Sequence, residues 1–284
     1  MQLPNEIIAS LFEHIARVPS LLVLASTSRH MRNVSQLDSR LRVLRKCYQQ
    51  TKIHKTLKCM FSDDMSRLRL EFRNFPDSQM IGTIAQNWQY LPIHSLTIKG
   101  DVDVNAAKKL CQLLTTPGFY CNEINFTCVS FNDDEDIVQY LKHAFTSCTH
   151  MYISLCSLDE GSLFDLLKMV GGCGLKSFHF TSNFVDSFPV DVLCEAIANA
   201  PHLHELDVSG AGLGWDSELL TGFLSEMAGT KLRKLSLTNN DITSVTLPIF
   251  PNLRHLDLKN NPLTTTSHKD WSNLDHCPLL TISS

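Results

Sequence analysis

The chain is 284 residues long, 43% apolar and 19% charged, a composition that can build a substantial core and argues against disorder. No apolar run reaches the roughly 18 to 20 residues that a membrane span needs, and Glu6, Glu13 and His14 interrupt what a signal peptide would require as its apolar region. The net charge of −4 is unevenly divided: residues 29–58 hold nine Lys or Arg against Asp38 alone, so that stretch is +8 and the remainder −12, a balance that argues against nucleic acid as the main ligand.

The first fifty residues read as plain helices. Ile7, Ile8, Leu11, Phe12 and Ile15 form one apolar stripe after Pro4 and Asn5, a suitable helix start. Pro19-Ser20 breaks the pattern before the apolar run Leu21 to Ala25, and a third helix carries Met31, Val34, Leu37, Leu41 and Leu44 on one face. A three-helix unit of about fifty residues buries only about 60% of its surface. It cannot hide all the large apolar residues between Leu3 and Leu24, and the surplus implies an exposed patch of the kind that meets another protein.

These residues carry a resemblance. Leu3-Pro4-Asn5-Glu6-Ile7-Ile8, Leu11-Phe12, Ile15, Leu21-Leu22, Leu24, Ser28-Arg29 and Arg32-Asn33-Val34 are similar to the F-box motif over roughly residues 2–45. Met31 stands where that family most often has Trp. The resemblance implies that Leu3, Pro4, Ile7, Ile8, Leu11, Leu21 and Leu24 bind the Skp-type adaptor of an SCF ubiquitin ligase and, through it, a cullin. The module is expected over 1–48. Residues 49–64 read as a linker, a further helix or an irregular first repeat.

From residue 65 an apolar-x-x-apolar-x-apolar pattern recurs. Its central position falls at Leu68, Leu96, Ile124, Met151, Phe178, Leu206, Leu235, Leu256 and Leu280, at intervals of 28, 28, 27, 27, 28, 29, 21 and 24. The clearest copies are Leu232-x-x-Leu235-x-Leu237-x-x-Asn240-x-Ile242 and Leu253-x-x-Leu256-x-Leu258-x-x-Asn261-x-Leu263. Alternation predicts a short strand with one buried face. The following Asn is expected to turn its amide onto the backbone of the bend. Spacings of 27 to 29 leave room for a crossover helix, legible in Ile137, Leu141 and Phe145 and in Leu193 and Ile197. Acidic residues precede such helices at Asp133 to Asp136, Asp159-Glu160 and Asp216 to Glu218. The shorter final spacings, with Pro248, Pro251 and Pro262, predict an extended or 3₁₀ crossover. The strand at Leu280 and Ile282 is expected to leave a partly open edge.

These copies closely resemble leucine-rich repeats of the ribonuclease-inhibitor type. The expected class is thus α/β: a leucine-rich-repeat solenoid of about nine repeats over 65–284, with a curved parallel sheet on the concave side and helices on the convex side, after a small all-α F-box-like module. The residues flanking the buried strand positions face the concave side. At mid-array these include His150, Tyr152, His179, Glu205 and Asp207, the candidate substrate-binding group.

Catalytic readings are thin. Gly171-Gly172-Cys173-Gly174 lacks the Lys-Ser/Thr of a phosphate loop. His202-x-His204 has no third ligand at metal-site spacing. His150 and His179 lie one repeat apart, with no evident nucleophile and ordered base beside them. The ten cysteines, at 47, 59, 111, 121, 128, 148, 156, 173, 194 and 277, form no C-x-x-C pair and read as reduced, which suits the cytoplasm or nucleus. The reading is a non-catalytic subunit with no metal or cofactor, no nucleic-acid or membrane partner, and an unknown protein substrate. The alternative is a stand-alone repeat scaffold or inhibitor whose N-terminal helices act as a cap; a GTPase-activating repeat protein stands third.

Overall fold

The computed structural model describes residues 57–61, 67–72, 93–100, 104–117, 119–130, 142–183, 185, 188–211, 217–264 and 279–281. The F-box-like segment therefore lies outside the described residues, as do Ile137 and Leu141. Among the described residues ten strands form one sheet in chain order. They are β1 (Leu57–Phe61), β2 (Leu68–Phe72), β3 (Ile93–Lys99), β4 (Glu123–Thr127), β5 (His150–Ser154), β6 (Ser177–Thr181), β7 (Glu205–Asp207), β8 (Lys234–Ser236), β9 (His255–Asp257) and β10 (Leu279–Thr281). Helices α1 (Val104–Leu114), α2 (Glu160–Gly171), α3 (Val190–Ala198) and α4 (Ser217–Ala228) lie on the crossovers, and residues 142–146 are also helical.

From β2 to β10 every neighbouring pair is parallel. β1 alone runs antiparallel, against β2, so a strand begins inside the segment 49–64. The strands form because each alternates: Ile124 and Phe126 are buried while Glu123, Asn125 and Thr127 are partly exposed, and β5 repeats the pattern. Packed helices sit about 8–10 Å apart and strands about 4.8 Å apart, so stacking these units bends the array with the sheet on the inner arc.

The register from β3 to β10 follows the repeat positions. Leu96, Ile124, Met151, Phe178, Leu206, Leu235, Leu256 and Leu280 all align. The first copy does not. Leu70, not Leu68, aligns with Leu96, Leu68 pairs with Ile93, and the register shifts between Leu68 and Arg69. Leu68 and Leu70 are both buried on the same face, and a two-residue slip keeps every side chain on its face. Alternation therefore cannot distinguish the two alignments.

The helices bury one face against the back of the sheet. α2 contributes Leu163, Leu166, Leu167 and Val170, α3 Leu193 and Ile197, and α4 Leu220, Phe223, Leu224 and Met227. Asp159 caps α2, its carboxylate accepting the Ser162 backbone N–H at 2.8 Å and the Ser162 hydroxyl at 2.7 Å. The glycine-rich stretch is a helix end and turn: α2 stops at Gly171, where an added Cβ would lie 2.9 Å from the Ala196 carbonyl oxygen of α3. Between β8 and β9 no helix forms; residues 237–254 cross in extended chain and bends, burying Ile242, Val245, Leu247 and Phe250. The 21-residue spacing is too short for a helix and its turns, and Pro248 and Pro251 cannot donate within one.

A turn device repeats at each strand end. Gly100, Cys128, Leu155, Ser182, Gly210, Asn239 and Asn260 occupy equivalent positions and all have positive φ. Where the bond is seen, the residue's N–H reaches the next repeat, as from Leu155 to the Thr181 oxygen (3.2 Å) and from Gly210 to Thr238 (2.9 Å). A Cβ at Gly210 would lie 2.9 Å from Ser182 Oγ, so glycine there meets both the backbone angle and the close approach.

The asparagines after the strands act between repeats as well as on their own bend. Asn240 donates to the Val208 oxygen (2.9 Å) and accepts from the Ala211 N–H (3.0 Å), both one repeat earlier. Asn261 does the same to Leu237 and Asn240 (both 2.9 Å), and also bonds its own Leu258 oxygen at 2.8 Å. Asn183 fills the equivalent place against Ile153 and Cys156. One repeat before Asn183, the Cys156 thiol takes the amide's role toward the Phe126 oxygen at 3.7 Å.

Candidate functional site

The open face of the sheet is built from the outward residues of each strand, which the register sets in rows, two of which run most of its length. One row runs Ser95, Glu123, His150, Ser177, Glu205, Lys234 and His255; the next runs Thr97, Asn125, Tyr152, His179, Asp207, Ser236 and Asp257. In the first repeat Arg69 and Glu71 join these rows, while Arg67 lies before the start of β2.

The middle of the face is a connected group. Tyr152 and His179 stack with ring centroids 4.5 Å apart and planes 23° from parallel. Ser177 Oγ lies 2.6 Å from His179 Nε2. On its other side the imidazole approaches Asp207, with Nδ1 3.5 Å from Oδ2, and Glu205 Oε2 lies 4.0 Å from Nε2. Asp207 also accepts the Ser209 backbone N–H (3.0 Å) and hydroxyl. Burial pushes the Asp207 carboxyl up, but the bonds from His179 and Ser209 outweigh it and hold it below the ordinary carboxylate value. Burial, then the charges of Glu123 and Glu205, push the Tyr152 phenol above its ordinary value.

Of the five candidate residues, the structure thus joins Tyr152, His179, Glu205 and Asp207. His150 is held apart from that group: its Nδ1 meets the Thr149 hydroxyl at 2.8 Å and faces the Asn122 oxygen at 3.4 Å. Its strand partner is Ser177, and the ring that meets His179 is Tyr152. Sequence reasoning placed Ser177 on this face but did not single it out. Its signal was the Ser-x-His spacing, which sets both side chains on one side of a strand.

Ser177, His179 and Asp207 have the order of a hydrolytic triad, but Ser177 is only 1% exposed. A nucleophile must reach its carbonyl carbon, and this hydroxyl is covered; it orients the imidazole instead. The buried thiols are inert for a related reason. Burial pushes Cys121 up to about 12 and Cys156 to about 11, so they remain protonated at neutral pH. Among the described residues no three His, Cys, Asp or Glu side chains cluster as a metal site would require, and no helix is long and apolar enough to cross a membrane.

Elsewhere the face is bridged by small polar groups and ion pairs. Asn125 donates to Ser95 at 3.3 Å, the hydroxyls of Thr127 and Ser154 meet at 3.3 Å, and those of Ser209 and Ser236 at 2.9 Å. Lys99 pairs with Glu71 at 3.1 Å and Lys234 with Glu205 at 3.9 Å. The large aromatic side chain on the described face is Tyr152, so the stack stands out against hydroxyls and charges.

Among known proteins, the family model described as leucine-rich repeats (2 copies) matches residues 230–276. No curated protein matches the sequence. Solved structures of similar shape include the crystal structure of a TLR13–ssRNA13 complex, at 19% identity and a TM-score of 0.48, covering 74% of this chain and 27% of that one. Another is the structure of the Drosophila Toll–Spatzle complex, at 12% identity and a TM-score of 0.49, covering 84% and 36%. The match spans little more than a third of the length of the chain in the Toll–Spatzle complex and about a quarter of that in the TLR13 complex. Residues 230–276 thus match leucine-rich repeats, and the parallel strand register described above repeats the same stacking from β3 to β10.

Proposed function

We propose that the open sheet face binds a substrate protein, and that the F-box-like segment joins the chain to a Skp-type adaptor and, through it, to a cullin. The chain is then the substrate-recognition subunit of an SCF-type ubiquitin ligase and performs no catalysis itself. The observation that carries the binding part is the Tyr152–His179 stack flanked by Glu205 and Asp207. Rigid aromatic rings beside oriented charges, near the middle of a surface, are where binding energy concentrates. The adaptor part rests on the motif residues Leu3, Pro4, Ile7, Ile8, Leu11, Leu21 and Leu24. It draws support from β1, which closes the parallel run with a strand of its own. The capping duty that the stand-alone scaffold reading gives to the N-terminal helices is thereby partly filled.

Co-purification of the full chain with a recombinant Skp-type adaptor tests the proposal. A stoichiometric complex is expected, and it is expected to be lost in a Leu3→Ala/Pro4→Ala/Ile8→Ala variant that keeps its circular dichroism. A well-folded chain that captures no adaptor sinks the ligase reading and leaves a repeat scaffold.

A further inference from the structure

The helix side of the array carries a second surface that the proposed function does not use. Between α3 and α4 lies a groove of about 430 Å³ lined by Val190, Cys194, Ala198, Leu219, Gly222 and Phe223. Phe223 forms part of its floor, and Leu219 on its wall is 44% exposed. Ala198 and Gly222 keep the wall low: a Cβ built on Gly222 has nothing within 4 Å. Three carboxylates, Asp191, Glu195 and Glu226, stand around this apolar strip. None forms an ion pair with a cation among the described residues, in contrast to Glu71, Glu205 and Asp257 on the sheet face, each of which has a lysine within 4.0 Å.

The imbalance extends beyond the groove. Between Lys176 and Lys231 the sequence holds eight Asp or Glu and no Lys or Arg. The segment that forms α3 and α4 thus supplies no Lys or Arg of its own to the rim. Burial and then the charges of Glu226 and Asp191 push the Cys194 thiol up to about 11, which places both carboxylates within electrostatic reach of the groove wall.

We propose that the groove between α3 and α4 docks a basic amphipathic helix of a partner protein, its apolar stripe on Leu219, Phe223 and Cys194 and its Lys or Arg side chains on Asp191, Glu195 and Glu226. A channel between two adjacent helices accepts the side-chain ridge of a third, and small residues at the contact let the axes approach to about 8–10 Å. The apolar strip supplies the burial, and the rim carboxylates select the sign of the flanking charges.

The test is fluorescence anisotropy of a labelled helix-forming peptide of about 18 residues, with a Leu/Ala stripe and Lys/Arg flanks, titrated with the full chain. Saturable binding is expected. It should weaken by about tenfold or more in a Glu195→Lys/Glu226→Lys variant, and also for a scrambled peptide of the same charge. Both substituted positions are exposed helix-surface sites, and circular dichroism of the variant checks its fold; a Glu195→Gln/Glu226→Gln variant gives a milder second reading in the same direction. Equal affinity for the reversed chain or the scrambled peptide overturns the proposal. So does concentration-dependent dimerisation in sedimentation that the same reversal abolishes, because the occupant is then the basic 29–58 stretch of a second copy.

Discussion

Asn240 is 1% exposed and holds two backbone groups of the preceding repeat, the Val208 carbonyl and the Ala211 N–H. A buried backbone group left without a partner costs about 1–3 kcal/mol. Asn240→Ala is therefore expected to lose on the order of 2–4 kcal/mol in urea denaturation. The exposed Asn252, which donates only to the Thr230 oxygen, is the control, and Asn252→Ala should lose under about 1 kcal/mol. Equal losses would defeat the inter-repeat account. Asn240 and Asn261 were legible in the repeat pattern, but the direction of their bonds was not: one amide serves its own bend and its neighbour alike, and spacing does not rank the two. The left-handed turn residues were less legible still. Cys128 and Leu155 adopt positive φ at a cost of roughly 1–2 kcal/mol each, a conformation their residue types do not advertise. Their neighbours over-determine it through bonds to the next repeat.

Helix placement was readable where a cap or an apolar stripe was strong. Asp159 before α2 is such a cap, since its carboxylate takes the Ser162 N–H and hydroxyl. Asp159→Ala should cost about 1 kcal/mol at neutral pH. Those bonds lower the folded carboxyl below its ordinary value. Its contribution is complete above the ordinary pKa of about 3.9, and it is lost as pH falls through the lower folded value. The stability difference between the parent chain and Asp159→Ala should thus be level from about pH 7 down to about pH 5 and shrink below about pH 4. A difference that instead grows on acidification would rule out the capping carboxylate as its source. The first repeat shows the opposite case. Leu68 and Leu70 share a face, so the bulge that brings Leu70 opposite Leu96 had no signature in alternation.

Each repeat touches mainly its neighbours, and a single core runs the length of the described array. Phe178 is fully buried in it, with ring centroids 6.3 Å from Phe145 and 6.4 Å from Phe180, so it ties β6 to the helical residues 142–146 of the β4–β5 crossover. Phe178→Ala should cost about 3–5 kcal/mol. In an array with nearest-neighbour coupling the damage is graded. Amide hydrogen exchange should accelerate most in β5, β6 and β7 and least in β9. A uniform loss of protection across the sheet would mean that the array unfolds as one unit.

What the sequence by itself determined was the period, the buried strand positions and the identity of the residues on the open face. A 27- to 29-residue repeat with alternating apolar residues leaves one low-energy way to stack, with like positions beside like. The extended crossover between β8 and β9 followed from length and proline. Only the tertiary structure decided which of those residues meet: Tyr152 with His179 rather than His150, Ser177 buried against the imidazole, and three carboxylates gathered around the groove between α3 and α4. Those contacts join residues about 27 or more positions apart, or depend on side-chain rotamers. Strand spacing and helix packing set them, and local pattern carries no information about either.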